Sequence, residues 1–188
     1  MIDLNEFVLE LPDMLSSDVC SELIDTYDAF VSPNIDLISR KGLAQNRKAF
    51  VPVDNLANYM SMNAKDSLTD AITRIRCKYT EAIQERGLDR DDALLTAFQV
   101  ANPTVDLSCM NPGEKSSYQF YKDTNGVALF GITFLNECQN EEGFVKFANG
   151  LQIEAKIGKV VFFPSSWMYA FDNTAFKKDH KYTAYILM

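Results

Sequence analysis

The chain has 188 residues, enough for one domain with a full core and cramped for two. Apolar residues make up 47% and charged residues 23%, with only 8 Gly and 6 Pro, which excludes a disordered or collagen-like polymer. A net charge of −8 repels phosphate backbones and argues against nucleic acid as a partner.

The densest basic stretch, Arg40, Lys41, Arg47 and Lys48, reads as the solvated surface of a loop. The four cysteines, Cys20, Cys77, Cys109 and Cys138, lie far apart, without CxxC or finger spacing. The opening Met1-Ile-Asp-Leu-Asn-Glu6 is acidic and mixed, unlike a secretory leader, and the longest apolar runs are too short to span a bilayer. The expectation is a soluble protein of a reducing cytoplasm, with free thiols and no membrane contact.

Phe7, Leu9 and Leu11 alternate with Val8 and Glu10, which predicts a strand that Pro12 stops. Ser16 or Ser17 caps a helix over 17–31, with Leu15 placed to staple its first turn. Val19, Leu23, Ile24, Tyr27 and Phe30 follow at helical spacing, and Pro33 is read as the end. Residues 34–63 are mixed and irregular. Leu68, Ile72, Ile75, Tyr79 and Ile83 form one stripe of a second helix over 65–86, with Gly87 as the stop signal.

From about residue 94 the chain turns to short β-prone runs, at 94–100, 127–136, 143–148, 151–157, 160–163 and 182–187. Asn149-Gly150 between two of them is a strong hairpin signal. From Leu151 to Ile157 every second residue is apolar, as a strand with one wet face requires. Helical support over about 1–93, then strands over about 94–188, predicts one α+β domain with helices backing a sandwich or barrel.

The second half also carries an ordered series of motifs. Asn111-Pro-Gly-Glu114 leads into Tyr118-Gln-Phe-Tyr-Lys-Asp123, then Ile132-Thr-Phe-Leu-Asn136, then Glu141-Glu-Gly-Phe-Val-Lys-Phe147. Lys159-Val-Val-Phe-Phe-Pro-Ser-Ser-Trp167 follows, and His180-Lys-Tyr-Thr183 closes the series. This resembles the prolyl 4-hydroxylase-like branch of the 2-oxoglutarate/Fe(II) dioxygenases, particularly the small bacterial and phage versions. There the series reads roughly PGxxY…HxD, a YLN strand, a GGxxxF turn, an FPS…H strand and a closing R/K-Y-S/T strand. Leu11-Pro-Asp-Met-Leu-Ser-Ser-Asp-Val-Cys20 resembles the family's entry strand and first helix, so nearly the whole chain is covered. The resemblance implies a double-stranded β-helix (a jelly-roll, cupin-like barrel) with N-terminal helices on the larger sheet.

The family's enzymes hold Fe(II) with two imidazoles and one carboxylate, leaving positions for 2-oxoglutarate and O₂. A basic residue deep in the barrel, helped by a hydroxyl, takes the cosubstrate's far carboxylate. Carried onto this chain, the first motif falls on Tyr121-Lys122-Asp123, so the first imidazole is Tyr121 and only Asp123 fits. The distal imidazole falls on Phe171, and the basic residue and its hydroxyl on Lys181 and Thr183. The chain's only histidine, His180, should face away from Lys181 on the same strand. Two imidazoles cannot come from one histidine, and a phenol with a pKa of about 10 is a reluctant ligand. The resemblance therefore implies a degenerate triad at Tyr121, Asp123 and Phe171, with no catalytic residues, no metal, and neither Fe(II) nor 2-oxoglutarate as cofactor.

Alternatives stay open at several residues. Lys181 and Thr183 form a carboxylate or anion site, or are a surface lysine on an edge strand beside an ordinary strand threonine. Asp123 is a remnant of the site, a turn residue before Asn125-Gly126, or the internal partner of Lys181. Tyr118, Phe120, Tyr121, Trp167, Tyr169 and Phe171 fill the barrel or line a groove, and filling is favoured. Glu141, Glu142 and Cys138 read as solvated turn residues and an inert thiol. The favoured function is a non-enzymatic module that binds a protein, a peptide or an assembly such as a virion. Its rivals are a hydroxylase with an unconventional metal site and a metal-free small-molecule binder.

Overall fold

The computed structural model describes residues 4–40, 50–85, 87, 103–118, 129–137 and 143–188, by backbone alone at Leu4, 34–40 and Trp167. A 3-10 turn, Leu4–Phe7, precedes strand β1 at Leu9–Leu11. Phe7 therefore stands before the predicted strand: the Val8 N–H closes a turn onto the Asn5 carbonyl. Helix α1 runs Ser17–Arg40. Ser16 caps it, its Oγ accepting the Val19 N–H at 3.3 Å, and Val19, Cys20, Leu23 and Tyr27 form its buried stripe.

Pro33 lies inside α1 and does not end it. A proline lacks the N–H that would reach the carbonyl four residues back, here that of Ala29, yet its ring holds a φ close to helical. One lost bond bends a helix more often than it stops one, and Asn34–Arg40 continues with helix-compatible residues. Strand β2 (Val51–Pro52) and the short helix α2 (Val53–Leu56) occupy part of the stretch read as irregular.

Helix α3, Met62–Glu85, buries Leu68, Ile72, Ile75, Tyr79 and Ile83, the stripe that the spacing predicts. Ser61 caps it through the Ala64 N–H and also binds Glu22 of α1, its backbone N–H donating to Oε1 at 2.8 Å. These hydrogen bonds hold the Glu22 carboxyl below the usual range and tie the two long helices together. Gly87 follows with φ +65° and donates its N–H to the Gln84 carbonyl, a left-handed stop suited to glycine.

The remaining strands are β3 (Thr104–Met110), β4 (Leu129–Phe134), β5 (Phe144–Phe147), β6 (Gln152–Glu154), β7 (Val160–Pro164), β8 (Phe171–Asn173) and β9 (Lys181–Leu187). They form a six-stranded sheet, β1-β7-β4-β9-β3-β2, and a three-stranded sheet, β6-β5-β8. Both faces of the larger sheet are covered. Leu129, Val160, Phe162, Ala184 and Ile186 face α1 and α3, while Phe130, Ile132, Phe134, Val161, Phe163, Tyr185 and Leu187 face the smaller sheet. Gly131 of β4 stands opposite Phe162 of β7, so close that a Cβ there would lie 2.7 Å from the Phe162 ring.

β3 was not among the expected runs, although its Val105 and Leu107 alternate inward toward the helices. The run expected at 94–100 lies outside the described residues. The 149–150 turn closes the β5–β6 hairpin, with Gly150 at φ +95° and Asn149 Oδ1 accepting the Leu151 N–H. β6 is shorter than the alternation over 151–157 suggested, with Ile153 buried and Gln152 and Glu154 exposed. No helix among the described residues is long and apolar enough to cross a membrane.

Candidate functional site

β9 lies between β4 and β3, and its alternation divides it between two environments. Tyr182, Ala184 and Ile186 belong to the helix-facing core, and Lys181, Thr183 and Tyr185 turn toward the space between the sheets. Lys181 is fully buried, which corrects the surface-lysine alternative: its strand is central, not an edge. Its Nζ donates to Asn173 Oδ1 at 2.7 Å and to the Thr174 carbonyl at 2.9 Å. The Phe134 and Phe176 rings stand 5.2 Å and 5.5 Å from that nitrogen, within cation–π range.

Asn173 comes from β8, in the opposite sheet, and is also fully buried. Its Nδ2 donates to the Tyr185 hydroxyl at 2.9 Å, so one amide bridges the lysine and the phenol. Burial pushes the Tyr185 phenol up, and hydrogen bonding with Asn173 and Thr183 offsets part of that rise. Across the β3–β9 pair Ser108 stands opposite Thr183, both of them buried, and the Ser108 hydroxyl has no hydrogen-bond partner among the described residues. Asp106 stands opposite Tyr185, its carboxyl pushed up by burial.

Phe171 is buried at the start of β8, with ring centroids 5.4 Å from both Phe130 and Phe163. Tyr169 is buried against Phe163 at 6.3 Å, its phenol pushed up to about 12 by desolvation. The expected filling holds at these two residues. It fails at Tyr118, which is 56% exposed because its segment follows the end of β3 out of the sheet. Phe120, Tyr121, Asp123, Cys138, Glu141 and Glu142 lie outside the described residues.

The single histidine faces the other way from Lys181, as the alternation requires. His180 is exposed, with Nδ1 3.6 Å from the Cys109 thiol. Burial pushes that thiol up to about 11, opposed by its hydrogen bond with Tyr182. The Tyr182 hydroxyl donates to Asp28 of α1 at 2.9 Å. Asn136 fixes this corner, accepting the Tyr182 N–H and donating to the His180 carbonyl.

The structure thus joins Lys181 and Thr183 to three residues that were not singled out: Asn173, Tyr185 and Ser108. Tyr185 had a signal, since it shares the inward parity of Lys181 and Thr183. Asn173, a polar residue two positions after Phe171, had only the hint of period two.

No family model matches the chain, and no curated protein sequence matches it significantly. Solved structures do. A viral collagen prolyl hydroxylase from Paramecium bursaria Chlorella virus-1, in complex with 2-oxoglutarate, superposes with a TM-score of 0.56 at 16% identity, over 96% of this chain and 94% of that one. A Pseudomonas putida prolyl 4-hydroxylase gives 0.60 at 11% identity, over 97% and 92%. A Trichoplax adhaerens prolyl hydroxylase, bound to a peptide fragment of the hypoxia-inducible factor oxygen degradation domain, gives 0.59 at 12%, over 97% and 83%. Two facing antiparallel sheets, helices against the larger one and this likeness together give the chain the jelly-roll fold of the prolyl 4-hydroxylases, the fold of the 2-oxoglutarate/Fe(II) dioxygenases.

Proposed function

We propose that this chain is a metal-independent binding module on the prolyl hydroxylase fold, and that its partner is a protein or peptide. The observation that carries the reading is Phe171. The motif series assigns the distal iron-binding imidazole to this position, and a hydrocarbon ring packed between Phe130 and Phe163 offers a metal no lone pair. The one histidine of the chain, His180, is exposed beside Cys109 on the far side of β9 from Lys181. The residues present do not fit an Fe(II) centre with two imidazoles, so no oxidative step is derived. The peptide class rests on the Trichoplax protein, whose fold accommodates a peptide fragment.

Lys181 favours a second reading, an anion or 2-oxoglutarate site with unconventional metal chemistry, because the motif series assigns it to the cosubstrate lysine and its side chain is buried. Its contacts with Asn173 and Thr174 support the first reading instead, since they engage the ammonium within the protein. The test is binding of proline-containing peptides in chelator, compared with added Fe(II) and 2-oxoglutarate. Equal affinity is expected in both conditions. Binding that appears only with iron and cosubstrate sinks the proposal in favour of the second reading.

A further inference from the structure

The contact between Lys181 and Asn173 has the makings of a chemical reaction. A primary amine lies 2.7 Å from the oxygen of a carboxamide, and both residues are fully buried. Since that oxygen is bonded to Cγ, a small rotation about the last carbons of the lysine carries Nζ from the oxygen to the carbonyl carbon. Neither chain is at liberty to leave, because β8 and β9 belong to opposite sheets that clamp the pair between them. Once the amine is turned onto the carbonyl carbon, confinement of this kind corresponds to effective concentrations of about 10⁵–10⁸ M in well-oriented systems. The Phe134 and Phe176 rings flank the nitrogen, which also donates to the Thr174 carbonyl.

We propose that Lys181 and Asn173 join in an intramolecular amide bond that the folded protein forms by itself, linking the two sheets covalently. Nζ sheds a proton and attacks Cγ, so that one C–N bond forms and Oδ1 carries the displaced electron pair. When the carbonyl re-forms, the Cγ–Nδ2 bond breaks. The leaving nitrogen takes one proton and departs as ammonia, and the second proton from Nζ makes it ammonium. The ammonium of Lys181 and the amide of Asn173 become a secondary amide and an ammonium ion, with no change in oxidation state and no co-reactant. Tyr185 is placed for the proton transfer: its hydroxyl already contacts Nδ2 at 2.9 Å. As Nδ2 becomes pyramidal it turns from donor to acceptor, the same contact then delivers the phenolic proton, and a proton released by Nζ restores the phenol.

Intact mass of the purified full chain, measured under denaturing conditions, tests the bond without any assumption about folding of variants. The wild type is expected to weigh one ammonia less than its sequence, and digestion should yield a branched peptide joining residues 173 and 181, with no tryptic cleavage after Lys181. Lys181→Arg and Asn173→Ala should each return to the full sequence mass. Tyr185→Phe should slow closure by about 10²-fold or more, read as an unlinked fraction over time. A wild type at full sequence mass, both fresh and after prolonged incubation, overturns the proposal, and so does a lighter product whose lost ammonia maps elsewhere. Full linkage in Tyr185→Phe overturns the role given to the phenol.

Discussion

Phe171 and Phe130 meet in the space between the sheets, one from each sheet, with ring centroids 5.4 Å apart and planes tilted by 33°. Replacing Phe171 by histidine exchanges this contact for a polar ring set against the Phe130 and Phe163 rings. Phe171→His is expected to destabilise the fold by about 2–4 kcal/mol, from a lost aromatic pair plus an unsatisfied buried group. Urea denaturation measures it, and an unchanged midpoint would show the site to be wet.

Metal content is the second prediction. Wild-type protein from iron-rich medium should carry no stoichiometric Fe(II), Mn(II) or Zn(II) at Asp123, since Tyr121 and Phe171 stand at the imidazole positions of the motif series. The double variant Tyr121→His with Phe171→His should gain weak Fe(II) binding. Elemental analysis of both proteins decides it, and metal in the wild type that disappears with Asp123→Ala contradicts the reading.

Turnover follows from metal. With added Fe(II), ascorbate and 2-oxoglutarate, succinate should stay at background, with or without peptide. Even an unlinked Lys181 could hold the far carboxylate only by one charge-assisted contact of about 1.5–3 kcal/mol, which is weaker than millimolar binding. Succinate formed by the wild type but not by Asp123→Ala would establish an enzyme.

Gly158 carries a structural prediction. Its φ is +73°, and a Cβ there would meet the Leu15 carbonyl oxygen, while its own carbonyl accepts the Met14 and Leu15 N–H groups. Gly158→Ala should cost at least about 2 kcal/mol from backbone strain and displacement of the β1–α1 connection. A midpoint within error of wild type would mean that the connection gives way freely.

Alkaline pH should destabilise the fold. Burial pushes the Cys20 and Cys109 thiols from 9.0 to about 11 and raises Tyr27 and Tyr182 above the ordinary phenol. Folded values above the unfolded ones mean that this contribution is complete below about pH 9 and is lost as pH rises toward 11. Chemical-denaturation midpoints should fall steadily over that window. A flat profile from pH 9 to 11 would show these groups to be solvated.

Much of this architecture was legible because period-two and period-3.6 patterns report on burial. The Leu68–Ile83 stripe and the 149–150 hairpin follow from spacing and turn chemistry alone, whereas the inward place of Lys181 followed from the motif resemblance. α1 past Pro33 was not legible, because a proline signals a lost bond and leaves open whether the helix resumes. β3 was missed because Asp106 and Ser108 point between the sheets, so a strand with polar residues on a buried face looks like a loop. Asn173 could not be assigned for a related reason. Its importance comes from an opposing strand eight residues away in sequence, and no local pattern encodes that meeting.

β4 has no solvent side: all six of its residues are buried. A strand with a wet face resists sliding because a one-residue slip would turn its apolar side chains into water, but β4 would only trade one greasy layer for another. Gly131 supplies the missing specification. The space at that position is filled by the Phe162 ring, with Ile186 of β9 3.3 Å from where a Cβ would sit. Sliding β4 by one residue would bring Phe130 or Ile132 to this spot, where neither side chain fits. The central strand is thus kept in step by the one residue in it that has no side chain.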